Sequence, residues 1–300
     1  MRTALLFQTH YFDRASARAF GRLRRQAPPE FEAQVLIHLP PGAPVPPALA
    51  SLPHHVARSD ELPVADYPSK SGGPGWDLWQ GGHTDLILLH FFRAHPEYER
   101  IWVVEYDVRF SGDWGRFFTA CEAIDADLLV PVLRRREDDP NWAWWGTLRP
   151  PPGEPASPAF ACFMPIYRVS RQGVLAVDAA WRAGWAGHSE TIWPTAIARA
   201  GLRIADPGGH GAFTPEALHG RFYSSTLQSM GLSPGSLLFK PPLYRMGSRR
   251  EMLWHPVKPF WPRAELRQAL RDLRAELGLL RRWLMARTWS PHGGRGAAKP

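Results

Sequence analysis

Short apolar runs, separated by stretches of helical spacing and by turn-rich loops, set the pattern of this chain. Residues 4–7 (ALLF), 34–39 (QVLIHL), 101–104 (IWVV), 127–133 (DLLVPVL), 161–168 (ACFMPIYR) and 202–205 (LRIA) read as strands. Uninterrupted apolar runs suit strands covered on both faces. Between them lie helical patterns. Residues 13–25 have Arg-rich helical spacing, and in 83–94 Leu86, Leu89 and Phe92 fall three apart beside Leu88 and Phe91. Further helices are predicted from Trp114 to about 124 with Ser111 or Asp113 as cap, from Ser170 to about Arg182, and from Glu190 to Ala200. Residues 40–52, 63–76 and 134–158 are rich in Pro, Gly or Trp and read as loops, the last as an excursion or lid. Strands alternating with helices predict an α/β domain, a mostly parallel Rossmann-like sheet with helices on both faces. That domain is expected to occupy residues 1–260.

Residues 261–288 break the pattern. Leu266, Leu270, Leu273, Leu277, Leu280 and Leu284 step by four and three, flanked by Arg267, Arg271, Arg274, Arg281 and Arg282. This predicts a C-terminal basic amphipathic helix. Its Leu stripe docks on the body, pairs with a second copy, or rests on an anionic membrane surface. Residues 289–300 are expected to be a disordered tail.

Composition narrows the class. Of 300 residues 44% are hydrophobic, with 14 Trp and 15 Phe, so there is ample core; the 31 Pro and 26 Gly then mean long ordered loops rather than disorder. Cys121 and Cys162 have no metal or redox spacing, which fits a reducing cytoplasm. The N-terminus lacks the apolar run of a signal peptide, and no segment approaches a membrane span. The expected location is therefore cytoplasmic, peripheral at the inner membrane face if the basic helix rests there. The net charge is +8, but residues 245–300 hold 13 Lys/Arg against 4 Asp/Glu and the remainder 23 against 24. A neutral body argues against nucleic acid as a partner.

The chemistry-bearing string is Ile101-Trp102-Val103-Val104-Glu105-Tyr106-Asp107. A buried strand that runs into two acids places carboxylates at a strand's carboxyl end, where open α/β sheets bind ligands. Acidic oxygens there suit Mg²⁺ or Mn²⁺ shared with the phosphates of a nucleotide. On spacing alone, solvated carboxylates at a strand end are the more ordinary outcome.

The order of the pieces resembles a GT-A glycosyltransferase, with Glu105-Tyr106-Asp107 as an ExD variant of that fold's DxD motif. WVVEYDVRFSGDW, preceded by GGHTDLILLHFFRAHPEYERI, is similar to an uncharacterised glycosyltransferase-like family of fungal and bacterial proteins, over about residue 76 to His255. The resemblance implies a nucleotide-sugar donor, a hydroxyl acceptor on a glycan or lipid-linked precursor, and a Mn²⁺ or Mg²⁺ cofactor. It implies Asp107 as the direct metal ligand, Glu105 acting through water or on the ribose, and His255 of the WHPVK string completing the shell. Lys258 would neutralise the diphosphate.

The same resemblance places Thr9, His83 and Asp85 around the donor. Asp85 also fits the positive end of a helix. Arg109 either pairs with phosphate or holds the two acids in place. Glu190 and His188, opening a helix after Gly187, are the candidate bases for the attacking hydroxyl; the alternative is a helix start with Ser189 as cap. Trp142, Trp144 and Trp145 either stack on a sugar acceptor or pack under a loop. Two rival functions remain. A nucleotidyltransferase would want a Gly-rich, basic loop after the first strand, and residues 8–14 (QTHYFDR) have no Gly. A catalytically silent glycan- or protein-binding member of the fold would have lost metal binding.

Overall fold

The fold was analysed in a computed structural model. It describes residues 2–70, 82–224, 235–239 and 245–258, together with positions 78, 242, 243, 273 and 277. Apart from Leu273 and Leu277, the expected C-terminal helix and the tail lie outside the described residues, as does part of the loop at 63–76.

The chain opens with β1 (Thr3–Thr9), α1 (Arg14–Gln26), β2 (Phe31–Leu39) and β3 (His54–Arg58). It continues through α2 (Asp85–Ala94), β4 (Arg100–Glu105), β5 (Arg109–Phe110), α3 (Trp114–Glu122), β6 (Leu128–Leu129) and β7 (Arg134–Arg135). Next come β8 (Phe160–Ala161), β9 (Ile166–Ser170), α4 (Arg171–Arg182), α5 (Ser189–Arg199), β10 (Ile204–Ala205) and β11 (Leu253–Trp254). Seven strands form one sheet in the order β10-β6-β9-β4-β1-β2-β3. All pairs are parallel except those of β9, which runs antiparallel to β4 and β6. Two short antiparallel pairs, β5 with β11 and β7 with β8, stand beside it.

The sheet is covered on both faces, and the apolar runs show why. Along β1, Ala4 and Leu6 join a core that includes α2, α4 and α5, while Leu5 and Phe7 join one that includes α1 and α3. In β4, Ile101 and Val103 face the first core and Trp102 and Val104 the second. The apolar side chains of these two strands are thus buried on one side or the other, as alternation requires.

The helix starts follow local chemistry. The Asp13, Asp113 and Ser170 side chains each accept a backbone N–H of the first turn, satisfying donors that a helix start leaves open. Arg168 is buried under the sheet and donates to the carbonyls of Cys121, Ile124 and Ala126 and to the Glu122 carboxylate, so the end of α3 is stitched to β9.

Three strand expectations are corrected. The run 127–133 yields only the two residues of β6, because Pro131 ends pairing and Val132 turns into the left-handed region at φ 60°. That turn is held by the Val132 N–H donating to Tyr223 Oη at 2.8 Å, with Tyr223 in turn donating to Asp206 at 2.6 Å. The run 161–168 splits into β8 and β9 with Pro165 between them. β3 was not foreseen: its sequence HHVAR is half-polar and it forms the sheet's edge. There His55 lies between two more imidazoles, with Nδ1 3.2 Å from His95 Nε2 and Nε2 3.0 Å from His90 Nδ1. His95 Nδ1 is 3.5 Å from Glu97, and His90 Nε2 is 3.9 Å from Glu61.

Candidate metal and transfer site

The apolar run of β4 ends at Glu105, and the chain turns at once, with the Val108 N–H donating to the Glu105 carbonyl at 2.9 Å. Glu105 and Asp107 therefore meet across a turn. Asp107 lies beyond the strand's end, so the two are not alternate residues on one strand face. Arg109 braces this turn from behind: its guanidinium donates to the carbonyls of Tyr106 at 2.6 Å and Val108 at 2.8 Å. Those bonds go to backbone, so Arg109 holds the acids' loop rather than a carboxylate.

A distant segment completes the cluster. β11 pairs with β5, Trp254 opposite Arg109, and the Val257 N–H donates to the Asp107 carbonyl at 2.8 Å. His255 is thereby set over the acids, with Nε2 3.6 Å from Glu105 Oε2 and 3.5 Å from Asp107 Oδ1. Its other nitrogen, Nδ1, is 2.8 Å from the Leu238 carbonyl, which can only accept, so Nδ1 carries a proton. This is the outer-shell bond that aims an imidazole at a metal. Lys258 Nζ donates to Asp107 Oδ2 and to Tyr106 Oη. Burial alone would raise the Asp107 carboxyl, but His255 and Lys258 outweigh it and hold it below the usual range. Burial would lower His255, and Asp107 and Glu105 outweigh that in turn and raise it.

These residues fit a divalent cation. One ligand atom from each of Glu105, Asp107 and His255 lies within 4.8 Å of the other two. Asp107 Oδ1 is buried and has no hydrogen-bond partner, a state that costs energy unless something binds there. Two carboxylates and an imidazole form a hard-to-borderline donor set that suits Mn²⁺ at least as well as Mg²⁺.

The cluster lines an open cleft, with Phe163, Met164 and Phe239 among its other lining residues. Glu190, at the start of α5, forms part of another wall. Its Oε1 accepts the Met164 N–H at 3.3 Å, while Oε2 is buried without a partner. Burial pushes its carboxyl up to about 8, offset in part by the Met164 N–H and by the Trp144 indole, which approaches without closing a hydrogen bond. His188, not Ser189, caps α5. Its Nδ1 accepts the Glu190 N–H at 3.2 Å, so its proton sits on Nε2, and burial lowers its pKa to about 4. The ring stacks on Trp144 with centroids 4.4 Å apart and planes 2° from parallel. His188 is thus committed to holding the helix start. Trp145 is buried under the loop and donates its Nε1–H to the Asp139 backbone carbonyl at 2.6 Å. Trp144 faces Phe239 at 6.4 Å, and Phe239 is a cleft residue that is 47% exposed.

The other donor-side candidates are placed behind the cleft. Asp85 is buried and fully committed: Oδ1 accepts Lys70 Nζ at 2.7 Å, and Oδ2 accepts the indole N–H groups of Trp181 and Trp193, each at 3.0 Å. His83 Nδ1 is 3.2 Å from Lys70 Nζ. Thr9 is fully buried; its hydroxyl donates to the Tyr11 carbonyl at 2.5 Å and closes the turn after β1. No sequence signal marked Lys70, which sits in a Pro/Gly-rich loop, nor Tyr106, whose ring packs edge-on against His10 and Tyr11 and under Lys258. Phe163 and Phe239 were also missed, because isolated aromatics carry no spacing.

No protein-family model and no curated protein matches the chain. Among solved structures it aligns with the inositol-1-phosphate CTP transferase from T. maritima, at 10% sequence identity and a TM-score of 0.35, over 70% of this chain and 86% of that one. A likeness this distant says nothing of substrate.

Proposed function

We propose that this chain is a metal-dependent glycosyltransferase that moves a sugar from a nucleotide-sugar donor to a hydroxyl acceptor on a glycan or lipid-linked precursor. The observation that carries the reading is the pairing of two buried, unsatisfied carboxylate oxygens, Asp107 Oδ1 and Glu190 Oε2, on residues lining one cleft. One belongs to a cluster suited to a cation; the other is placed to accept a proton.

Asp107, His255 and Glu105 would hold Mn²⁺ or Mg²⁺, which supplies positive charge to the donor's diphosphate when bound. Lys258, beside Asp107, adds a second positive charge where the leaving group gains its electron pair. In the transfer the bond from the sugar carbon to the diphosphate oxygen breaks and its electron pair leaves with the nucleotide. The acceptor oxygen forms the new bond, and its proton passes to Glu190 Oε2. A raised carboxyl suits a base near neutral pH better than an ordinary one. The cleft's aromatic side, Phe163 and Phe239 with Trp144 beyond, offers faces for the C–H edges of a sugar ring.

Calorimetric titration of UDP and of GDP, with and without Mn²⁺, into wild type and Asp107→Ala tests this. Mn²⁺-dependent binding that Asp107→Ala abolishes is the expected result. Absence of binding by either nucleotide in every condition would favour a silent fold or a donor built on another base.

A further inference from the structure

α1 carries five arginines, at 14, 18, 22, 24 and 25, and no acidic residue. Arg14, Arg18, Arg24 and Arg25 are exposed. Among the described residues none of these four meets a carboxylate, whereas Arg2, Arg93, Arg100, Arg182, Arg199 and Arg203 each do. The arrangement works against the helix itself. Arg14 puts positive charge in the first turn, where the helix dipole is already positive. Arg14 with Arg18, and Arg18 with Arg22, are like charges one turn apart. The Asp13 cap offsets part of this charge, and Arg24 and Arg25 sit at the negative end of the helix, but no carboxylate pairs with the four exposed arginines, which leaves a basic surface open to an anionic partner.

The spacing adds a second feature. Positions 14, 17, 18, 21, 24 and 25 share one helix face. The small residues Ala17 and Gly21 open that face into a groove walled by Phe20 and Leu52 and flanked by Arg24 and Arg25. Apolar walls beside guanidinium groups match an amphiphile, with a phosphate at the rim and hydrocarbon within. Nucleic acid would use the charges but not the apolar groove.

We propose that α1 is a docking face for a membrane surface carrying anionic phospholipid headgroups. Four residues separate the end of β1 from the helix, and among them Tyr11 packs on Tyr106 of the acid turn at 5.0 Å. A surface held along the about 20 Å of α1 starts beside the candidate site and brings membrane-borne acceptors to it. The inference uses α1 alone and stands whether or not the transferase reading does.

The test is co-sedimentation of the full chain with phosphatidylcholine vesicles made with and without phosphatidylglycerol, in parallel with nucleotide calorimetry. Each basic residue near an anionic surface multiplies partitioning roughly fivefold, so Arg18→Ala/Arg25→Ala should lower binding about 25-fold. Arg135→Ala/Arg136→Ala removes equal charge from another exposed site and should leave binding near wild type. Circular dichroism and nucleotide titration should be unchanged in both. Equal binding to the uncharged vesicles, an Arg18→Ala/Arg25→Ala variant that binds like wild type, or equal losses in the two variants would overturn the proposal. So would uptake by a nucleic acid homopolymer with none by either vesicle.

Discussion

Replacing Asp85 by Asn separates a structural role from a donor-binding one. The Lys70 and Asp85 side chains are 0% and 1% exposed, so no water takes over when the charge is removed. The amide would present N–H groups to an ammonium, or turn them on the indoles of Trp181 and Trp193, which need an acceptor. Removing one partner of a buried pair costs about 3–5 kcal/mol. The Lys70 ammonium also lies 3.8 Å from the centre of the Trp181 ring, and burial already lowers its pKa against the pull of Asp85. It can therefore shed its proton, which places the loss toward the lower end. For a domain of this size the melting temperature should fall by roughly 6–20 °C. Urea unfolding of Asp85→Asn, Lys70→Met and the double variant measures this, and the double variant should be more stable than Asp85→Asn alone. If Asp85→Asn unfolds within about 1 kcal/mol of wild type, a value typical of surface changes, while nucleotide binding collapses, the structural assignment is wrong and Asp85 contacts the donor.

Other outcomes follow from the same geometry. Glu190→Gln should lower kcat/KM by about 10²–10⁴-fold with nucleotide affinity unchanged, and the wild-type rate should rise with pH through about 8 as the buried carboxyl ionises; a flat profile there would remove Glu190 as base. Mn²⁺ must displace the proton that Asp107 and Glu105 help His255 retain, so affinity should weaken as pH falls through and below His255's raised pKa. Calorimetry in two buffers of different ionisation enthalpy should show proton release. Burial keeps His188 neutral, with a pKa near 4 against 6.5 unfolded. Its contribution to stability is therefore present above pH 6.5 and lost as pH falls toward 4, and an acid midpoint in His188→Gln that matches wild type would contradict this. Gly82 sits at φ +68°, and a Cβ there would lie 2.0 Å from His188 Cδ2. Gly82→Ala should push His188 off its cap, with loss of about 1–2 kcal/mol in urea unfolding.

Much of the sheet was legible because two-sided burial writes itself as apolar runs, and β1, β2 and β4 were read in place. The caps at Asp113 and Ser170 were readable for the same kind of reason, since a side chain and the N–H it accepts are three residues apart. What failed depended on partners distant in sequence. Val132 turns because Tyr223 and Asp206 reach it from the far end of the domain. β3 pairs by joining the edge of β2 without an apolar run of its own. At the site, Glu105 and Asp107 stood out as acids after a buried strand. His255 entered only through the WHPVK resemblance, since the β5–β11 pairing that delivers it joins residues far apart in sequence. Asp85 looked like a helix-start acid, and nothing local to it announced that Lys70 would be its counter-ion.

The three imidazoles at the sheet's edge form a counting device for protons. Between Glu97 and Glu61 there are four contacts, from Glu97 to His95, His95 to His55, His55 to His90, and His90 to Glu61. Each contact needs one N–H, and three neutral rings supply three. One added proton fills all four, giving a row that points from its middle to both carboxylates. A second added proton sets two N–H groups face to face. Burial and the neighbouring imidazoles lower His55 to about 4, so the middle ring resists even the first of these protons. When a second is added below that point, the tie between β3 and α2 turns repulsive. The strand most easily shed is then the one that shields β2, and an acidified sample would expose a long apolar strand edge able to pair with another chain.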